Sequence, residues 1–333
     1  MTTLRLGGPA GRVETVTTAD EIAEVVTDCD RRGEPLLVLG GGSNLVVADA
    51  GFAGTVVRIA SRGIAADVDG CAGATLRVAA GEDWDALVAH AVHEGWAGVE
   101  ALAGIPGSTG ATPMQNVGAY GQEVAQTIAR VRAWDRTDRR WRTFAAADCG
   151  FTYRHSRFKG VDRWIVAEVE FQLRPGELGE PVRYAELARA LGVDLGGRAP
   201  LPAVREAVLD LRRAKGMVLD PADPDTWSAG SFFTNPILPV ETAARLPAGA
   251  PRWPTDEGRV KTSAAWLIEQ AGFPKGFRRG PVGLSTKHTL ALTNRGGART
   301  EDLLALAREV RDGVERAFGI RLVNEPVLVG VDL

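Results

Sequence analysis

The first 65 residues alternate between helical and strand-like spacings of apolar side chains. The helical spacing i, i+3, i+4, i+7 is carried by Ile22, Val25, Val26 and Cys29. Just before it, Thr18-Ala19-Asp20-Glu21 has the spacing of a capping box, which predicts that a helix begins there. Continuous apolar runs predict buried strands at 36–39, 45–47 and 55–59. This pattern is typical of a small α/β lobe.

The rest of the chain mixes both periodicities. Strands are predicted around 75–79 and, with strict alternation, at 130–134 and 164–173. A helix is predicted from Trp84, and three more amphipathic helices are marked by Val204/Val208/Leu211, Ala264/Leu267/Ile268 and Leu303/Ala307/Val310/Val314. The arginine-rich run 136–142 is interpreted as a solvated hairpin tip rather than a partner site.

Two glycine-rich segments interrupt these elements. The first, residues 40–44, reads Gly-Gly-Gly-Ser-Asn; it lacks the third glycine and the following helix of a dinucleotide fingerprint. A tight strand-to-strand turn and a backbone nest for a phosphate are equally compatible with it. The second, residues 103–121, is long and has few hydrophobic anchors, which favours a functional loop over a plain surface loop. It lacks the Gly-Lys-Ser/Thr step of a P-loop, and its glycines and polar donors suit a flavin and its pyrophosphate.

The composition narrows the class of protein. The 333 residues are 45% hydrophobic and 24% charged, as in a globular protein. Thirty-nine Lys and Arg against 42 Asp and Glu give a net charge of -3, which argues against general nucleic-acid binding. Cys29, Cys71 and Cys149 are spaced for neither a disulfide framework nor a metal site. No signal peptide and no membrane-length apolar run stand out, so a cytoplasmic protein is expected, and nothing demands more than a monomer.

Five motifs together resemble the UDP-N-acetylenolpyruvoylglucosamine reductase family. They run in order along the chain: 39–45 with its three glycines, 104–121, Tyr-Arg-His-Ser-Arg-Phe-Lys at 153–159, Ala-Gly-Ser-Phe-Phe-Thr-Asn-Pro at 229–236, and Glu325. The resemblance implies an α+β chain: a two-lobed FAD-binding fold of the vanillyl-alcohol oxidase type followed by an α+β substrate-binding domain. The implied boundaries are 1–65 and 66–203 for the two lobes and 204–325 for the substrate domain, with 326–333 returning to the first lobe.

The resemblance also implies site residues. Arg154 would bind the substrate carboxylate, Ser231 would donate a proton, and Glu325 would complete the site as an acid. Substrate-binding roles fall to Tyr153, Tyr184, Lys215 and Asn235. The implied FAD contacts are Gly40, Gly41, Gly42, Ser43, Asn44, Gly104, Ile105, Pro106, Gly107, Ser108, Thr109, Gly110, Gln115, Asn116, Gly118, Ala119, Tyr120 and Gly121.

The implied reaction is the NADPH-dependent reduction of enolpyruvyl-UDP-N-acetylglucosamine to UDP-N-acetylmuramate in peptidoglycan precursor synthesis. A hydride would pass from flavin N5 to the β-carbon and a proton from Ser231 to the α-carbon. A bidentate guanidinium suits a carboxylate that gains enediolate charge, as proposed for Arg154. Taken singly, Ser231 reads as a turn serine, Glu325 as a solvated strand-end carboxylate, and Arg154 as part of a strand edge.

Two departures from the family pattern stand out. The order Asn324-Glu325-Pro326 replaces the frequent Glu-Pro-Glu, which leaves open a one-residue shift of the carboxylate. No histidine lies in either glycine loop, so the resemblance implies non-covalent FAD. The alternatives are an FAD oxidase of the same fold and a non-enzymatic nucleotide-sugar binding module.

Lysine is scarce in the chain, and each lysine is therefore of interest. The sequence holds Lys159, Lys215, Lys261, Lys275 and Lys287. Because the implied ligands are anionic, we expect Lys215 to contact the diphosphate and the other four to include residues near the substrate.

Overall fold

The computed structural model describes residues 1–69, 73–255 and 257–333. Its helices are α1 Ala19–Arg32, α2 Trp84–His93, α3 Ala185–Leu191, α4 Leu201–Ala214, α5 Val240–Ala244, α6 Ala264–Gln270 and α7 Thr300–Phe318. Its strands are β1 Ala10–Val16, β2 Leu36–Leu39, β3 Leu45–Val47, β4 Phe52–Ile59, β5 Ile64–Asp69, β6 Gly73–Ala79, β7 Trp96–Ala97, β8 Gly118–Ala119, β9 Gln122–Glu123, β10 Ile128–Asp135, β11 Arg140–Ala145, β12 Trp164–Pro175, β13 Ser228–Ser231, β14 Ile237–Leu238, β15 Arg252–Pro254, β16 Val260–Thr262, β17 Arg278–Arg279, β18 Val282–Leu284, β19 Ala291–Asn294 and β20 Val327–Val329. The α+β class is confirmed.

The chain divides into two compact units. The larger unit comprises Ala10–Gly42 and Ala53–Ala214; the C-terminal unit comprises Met1–Pro9, Ser43–Phe52 and Lys215–Leu333. The three-part division at residues 65, 203 and 325 stays a prediction. No helix among the described residues is long and apolar enough to cross a membrane.

The larger unit contains two main sheets. One has the strand order β1-β4-β2, with β2 and β4 parallel. The other has the order β11-β10-β12-β6-β5 with antiparallel neighbours, and β7 also pairs with β12. Trp84 of α2 is fully buried against Phe171 of β12, with ring centroids 5.8 Å apart, and its indole N–H donates to the carbonyl of Leu102. The helix thereby holds the chain that enters the second glycine loop.

The C-terminal unit contains three smaller sheets around one apolar core. Their strand orders are β13-β19-β18-β17, β14-β16-β15 and the parallel pair β20-β3. The core is formed largely by α6, α7 and the strands β18 and β19, with Phe232 and Phe233 fully buried in it. Because β20 pairs in parallel with the short strand after the first glycine loop, the chain end is fixed beside residues 45–47.

The helix start at Thr18 is confirmed with one change. The Thr18 hydroxyl accepts from the Glu21 N–H at 3.1 Å, as in a capping box. The Glu21 carboxylate, however, accepts from the N–H of Thr17 at 2.6 Å, one residue before the expected donor. The helix ends at Gly33, whose φ of 63° lies in the left-handed region that glycine favours.

The arginine-rich hairpin tip between β10 and β11 is confirmed, but Arg136 is not solvated. Its guanidinium donates to the Asp30 carboxylate of α1 at 2.6 Å, and both side chains are less than one-fifth exposed. Of the three cysteines, Cys29 and Cys149 are buried free thiols, and Cys71 lies outside the described residues.

Asp135, at the end of β10, provides a pH-dependent contribution to stability. Arg163 donates two hydrogen bonds to its buried carboxylate, at 2.8 and 2.7 Å, and lowers its pKa from the usual 3.8 to about 2. A group with a depressed pKa stabilises the fold above its unfolded pKa and loses that effect as pH falls through the folded value. We therefore expect Asp135→Asn to flatten the decline in unfolding free energy between about pH 4 and pH 2. Urea titrations at several pH values would measure it, with Asp67→Asn on the exposed strand β5 as the control; equal slopes for wild type and Asp135→Asn would contradict the prediction.

Candidate functional site

The two glycine segments meet in the larger unit. A Cβ placed on Gly41 would lie 2.6 Å from the Cα of Gly107, and one on Gly40 would collide with the Ser108 hydroxyl. Only residues without side chains allow the backbones this close. Residues 40–44 connect strands β2 and β3, which belong to different sheets, so the segment is not the turn of a β-hairpin.

The second glycine segment is more ordered than its sequence predicts. It contains a 3₁₀ segment, Thr109–Gln115, and strand β8, which pairs with β9 directly after the segment. The N–H groups of Thr109 and Gly110 donate to the carbonyls of Glu82 and Ala80, both at 2.8 Å, which fixes the segment against the end of β6. The start of the segment is held by Asp85, whose carboxylate accepts from the Gly104 N–H at 2.7 Å.

These residues fit a bound flavin nucleotide. Thr109 is fully buried, and its hydroxyl has no hydrogen-bond partner within the described part of the chain. A buried hydroxyl without a partner costs free energy, which a ligand acceptor or donor would recover. Together with the bare backbone at Gly40, Gly41 and Gly107, it forms a cradle suited to the ring or pyrophosphate of FAD.

A buried cation that the sequence analysis missed lies beside this segment. Arg212 of α4 is 7% exposed, and burial lowers its pKa to about 10, partly offset by Tyr120 and Asp85. It occupies an apolar helix position, since Val204 and Val208 precede it at intervals of four. An arginine in such an apolar stripe is a sequence signal for a functional guanidinium. The positive charge near Tyr120 favours an anionic ligand.

Tyr153 and Arg154 form the tip of a tight turn in the larger unit. Thr152 and His155 exchange both backbone hydrogen bonds, at 3.1 and 3.2 Å. Arg154 adopts a φ of 54°, and its guanidinium donates to the carbonyl of Gly118 at 2.6 Å and lies 5.2 Å from the Tyr153 ring. The structure therefore places Arg154 against the second glycine segment.

Backbone strain concentrates in this part of the larger unit. Among the described residues, five non-glycine residues have a positive φ, and three of them are the predicted site residues Asn116, Tyr120 and Arg154. Each costs about 1–3 kcal/mol and persists only where the surroundings hold it. Asn116 is buried, and its side-chain amide forms hydrogen bonds with Glu123, Thr152 and Ala125, so its side chain organises the loop.

Tyr184 contacts the same segment by its ring. It lies edge-on to Tyr120, with centroids 5.4 Å apart, and remains 44% exposed. Lys159 donates to the backbone carbonyl of Arg154 at 3.0 Å. The structure thus brings Tyr153, Arg154, Tyr184 and Lys159 together around residues 114–121 of the larger unit.

Ser231 and Glu325 lie on neighbouring segments of the C-terminal unit. Strand β13 contains a bulge between Ser228 and Ser231, where Gly230 takes a φ of 71°. Such a bulge re-aims the following side chain. After it, Phe232 and Phe233 anchor the strand in the core, and the N–H of Glu325 donates to the Phe232 carbonyl at 2.8 Å. The proposed proton donor and the proposed acid therefore lie on neighbouring hydrogen-bonded segments.

Hydrogen bonds fix the backbone of the Asn324-Glu325-Pro326 segment. The Asn324 amide donates to the Pro326 carbonyl at 2.8 Å, and the Asn44 amide donates to the Glu325 carbonyl at 3.4 Å. The Val327 N–H donates to the backbone carbonyl of Asn44 at 2.9 Å. Asn44 thus holds the Glu325 segment within the C-terminal unit.

The remaining predicted residues take different places in the C-terminal unit. The Asn235 side-chain oxygen accepts from the Ala264 N–H at 2.9 Å at the start of α6. Lys215 directly follows α4, Lys261 lies on β16, and Lys287 forms an ion pair with Asp223 at 2.6 Å. Substrate contacts by these residues stay predictions.

The contact between the glycine segments gives a direct test of the cofactor cradle. We expect Gly41→Ala to force residues 40–41 away from Gly107 and to weaken FAD binding about 10- to 100-fold, since overpacking costs about 1–3 kcal/mol. Fluorescence titration of the apoprotein with FAD would measure it. Gly249→Ala is the control, because a Cβ there meets nothing within 4 Å; unchanged FAD affinity in Gly41→Ala would contradict the cradle.

Comparison with known proteins gives one consistent family. Residues 10–143 match the model of the FAD binding domain, and residues 221–329 match that of the UDP-N-acetylenolpyruvoylglucosamine reductase C-terminal domain. A crystal structure of UDP-N-acetylenolpyruvylglucosamine reductase from Thermus caldophilus matches with a TM-score of 0.67 and 27% identity, covering 98% of this chain and 95% of that chain.

Curated relatives match the whole chain at higher identity. The UDP-N-acetylenolpyruvoylglucosamine reductase of Thermobifida fusca is 61% identical, covering 100% of this chain and 96% of the relative. That of Streptomyces coelicolor is 59% identical, covering 100% and 89%. The chain therefore belongs to the UDP-N-acetylenolpyruvoylglucosamine reductase family and is an FAD-binding oxidoreductase.

Proposed function

We propose that the chain uses NADPH to reduce the enolpyruvyl ether of UDP-N-acetylglucosamine to the lactyl ether of UDP-N-acetylmuramate, a step in peptidoglycan precursor synthesis. The observation that carries the proposal is the bulge at Gly230, which presents Ser231 on a strand bonded to the Glu325 segment. Stereospecific protonation of a carbon requires a proton donor held in one position, and these backbone contacts restrain the strand that carries Ser231.

FAD would be held non-covalently by residues 40–44 and 104–121, and when bound it supplies the hydride. The bare glycine backbone and the Thr109 hydroxyl are the groups that favour it. None of the four histidines lies in either segment, so no histidine there is available as a flavin-linking residue.

Arg154 would bind the substrate carboxylate. Reduction at the β-carbon develops negative charge on the α-carbon and its carboxylate, and a permanently charged planar guanidinium stabilises this charge in bidentate geometry. The Arg154 guanidinium donates to the Gly118 carbonyl, and Lys159 donates to the Arg154 backbone carbonyl. These bonds hold Arg154 before substrate arrives, so little reorganisation is needed during the reaction.

Ser231 would donate the proton to the α-carbon, and Glu325 would complete the site as an acid. A serine hydroxyl is a weak acid, but an enediolate is basic enough to take its proton at hydrogen-bond distance. Tyr153, Tyr184, Lys215 and Asn235 would bind the nucleotide sugar. The position of Tyr184, exposed and edge-on to Tyr120, supports a role in covering the diphosphate.

Anaerobic flavin spectroscopy tests the proposal. The purified protein is expected to be yellow, NADPH should bleach it, and one equivalent of the enolpyruvyl nucleotide sugar should restore the colour with a product two mass units heavier. Reduced protein that only oxygen reoxidises would favour the oxidase alternative. Protein that cannot be loaded with FAD would favour a nucleotide-sugar binding module.

A further inference from the structure

Hydrogen bonds join the turn that carries Arg154 to the second glycine segment before, at and after its tip, within the larger unit. Before the tip, the Asn116 amide donates to the Thr152 carbonyl at 3.1 Å. At the tip, Arg154 donates to Gly118 at 2.6 Å. After the tip, the Ser156 hydroxyl donates to the carbonyl of Met114 at 2.7 Å. The groups of the glycine segment that take part in these bonds belong to residues 114–118.

Ser156 contacts the glycine segment through its hydrogen bond to the Met114 carbonyl. It is fully buried, and its hydroxyl also accepts from the Phe158 N–H at 3.1 Å, which closes the chain just after the turn. Asn116, by contrast, bonds Glu123 and Ala125 as well, so that changing it would alter the glycine segment itself. Ser156 is therefore the position at which the connection can be broken most selectively.

These hydrogen bonds hold Arg154 in a strained backbone conformation. The φ of 54° at Arg154 is a left-handed conformation, which is unfavourable for an L-residue with a Cβ. Such a conformation relaxes unless neighbouring contacts hold it. Ser156 follows the strained residue by two positions and is anchored in the interior, so it limits the directions in which the turn can relax.

We propose that Ser156 is a positioning residue, which fixes the Arg154 guanidinium relative to the segment that would hold the flavin. The inference rests on the proposed role of Arg154 toward the substrate carboxylate. Loss of the Ser156 hydroxyl frees the turn from Met114, and Arg154 then samples orientations that do not meet the developing charge. A displacement near 1 Å at a reacting group can cost about 100-fold in rate.

The test is a comparison of the two half-reactions in Ser156→Ala. Stopped-flow absorbance is expected to show FAD reduction by NADPH within about twofold of wild type and reoxidation by the enolpyruvyl substrate slowed about 10- to 100-fold. The first measurement reports an intact flavin site, so a general folding defect would be recognised. If Ser156→Ala does not retain FAD, Ser156→Cys keeps a side chain of similar size with only a weak donor and should show a smaller loss in the same step.

A double-mutant cycle separates positioning from a general structural effect. In an Arg154→Ala background, Ser156→Ala should cause no further loss of reoxidation rate, because the residue it positions is gone. Thr127→Val, which removes another buried hydroxyl that donates to a backbone carbonyl in the larger unit, should leave both half-reactions unchanged.

Two results would overturn the inference. One is reoxidation of Ser156→Ala at the wild-type rate; the other is the same fractional loss from Ser156→Ala with and without Arg154. Failure of the wild-type reduced flavin to react with the enolpyruvyl substrate is a different outcome, which would overturn the proposed function and this role with it.

Discussion

Ser231→Ala is expected to slow reoxidation of the reduced flavin by the enolpyruvyl substrate about 100- to 10,000-fold, the range that a positioned general acid contributes. The reason is the rigid presentation of the hydroxyl: Gly230 turns the strand at the bulge, and two buried phenylalanines fix the chain that follows. Without the hydroxyl, the α-carbon loses its positioned proton donor. FAD content and reduction by NADPH should remain normal.

Single-turnover stopped-flow absorbance would measure this loss, and product analysis in deuterated buffer would show whether the remaining protonation keeps its stereochemistry. Ser263→Ala is a suitable control in the same unit. Its hydroxyl caps α6 by accepting from the Trp266 N–H, so its loss should lower stability by about 1 kcal/mol and leave turnover unchanged. Turnover of Ser231→Ala within threefold of wild type would exclude Ser231 as the proton donor.

Arg154→Ala is the second large effect, with an expected loss of about 100- to 1,000-fold in the same half-reaction, as for other preorganised groups at a developing anion. Arg154→Lys should recover only part of the rate, because an ammonium group cannot bind a carboxylate in the planar bidentate geometry. Rates at saturating substrate, measured by stopped-flow absorbance, would separate the loss in the chemical step from weaker binding.

A third variant, Arg154→Gly, tests the backbone strain at the same position. Glycine adopts the φ of 54° without the Cβ penalty, so this variant should be about 1 kcal/mol more stable than Arg154→Ala while equally inactive. Both variants lose the bond to Gly118, so that loss cancels in the comparison. Urea unfolding of the two proteins would decide it. Equal stabilities would show that Arg154 is unstrained, and wild-type turnover of either variant would remove Arg154 from the mechanism.

The parts of the fold that sequence predicted well are those built from short-range patterns. The helices α1, α4 and α7 follow from apolar side chains at helical spacing, and β12 follows from strict alternation. The short helix α3 and the exposed strand β5 were not predicted. Each has little of its surface buried, so its sequence carries a weak periodic signal.

The candidate site also has features that the sequence indicated and features that only the tertiary structure decided. The two glycine loops favoured a flavin site from their residues alone, whereas the reductase activity and the roles of Arg154 and Ser231 came from the resemblance of the ordered motifs to the family. The contact of Gly41 with Gly107, the bulge that re-aims Ser231, and the bonds of Asn44 and Phe232 to the Glu325 segment were decided only by the tertiary structure. So were the burial of Arg212 and the strained turn at Arg154. These features depend on pairings between residues tens to hundreds of positions apart, which local spacing does not encode, whereas helix and strand periodicity depends on neighbours within one or two turns.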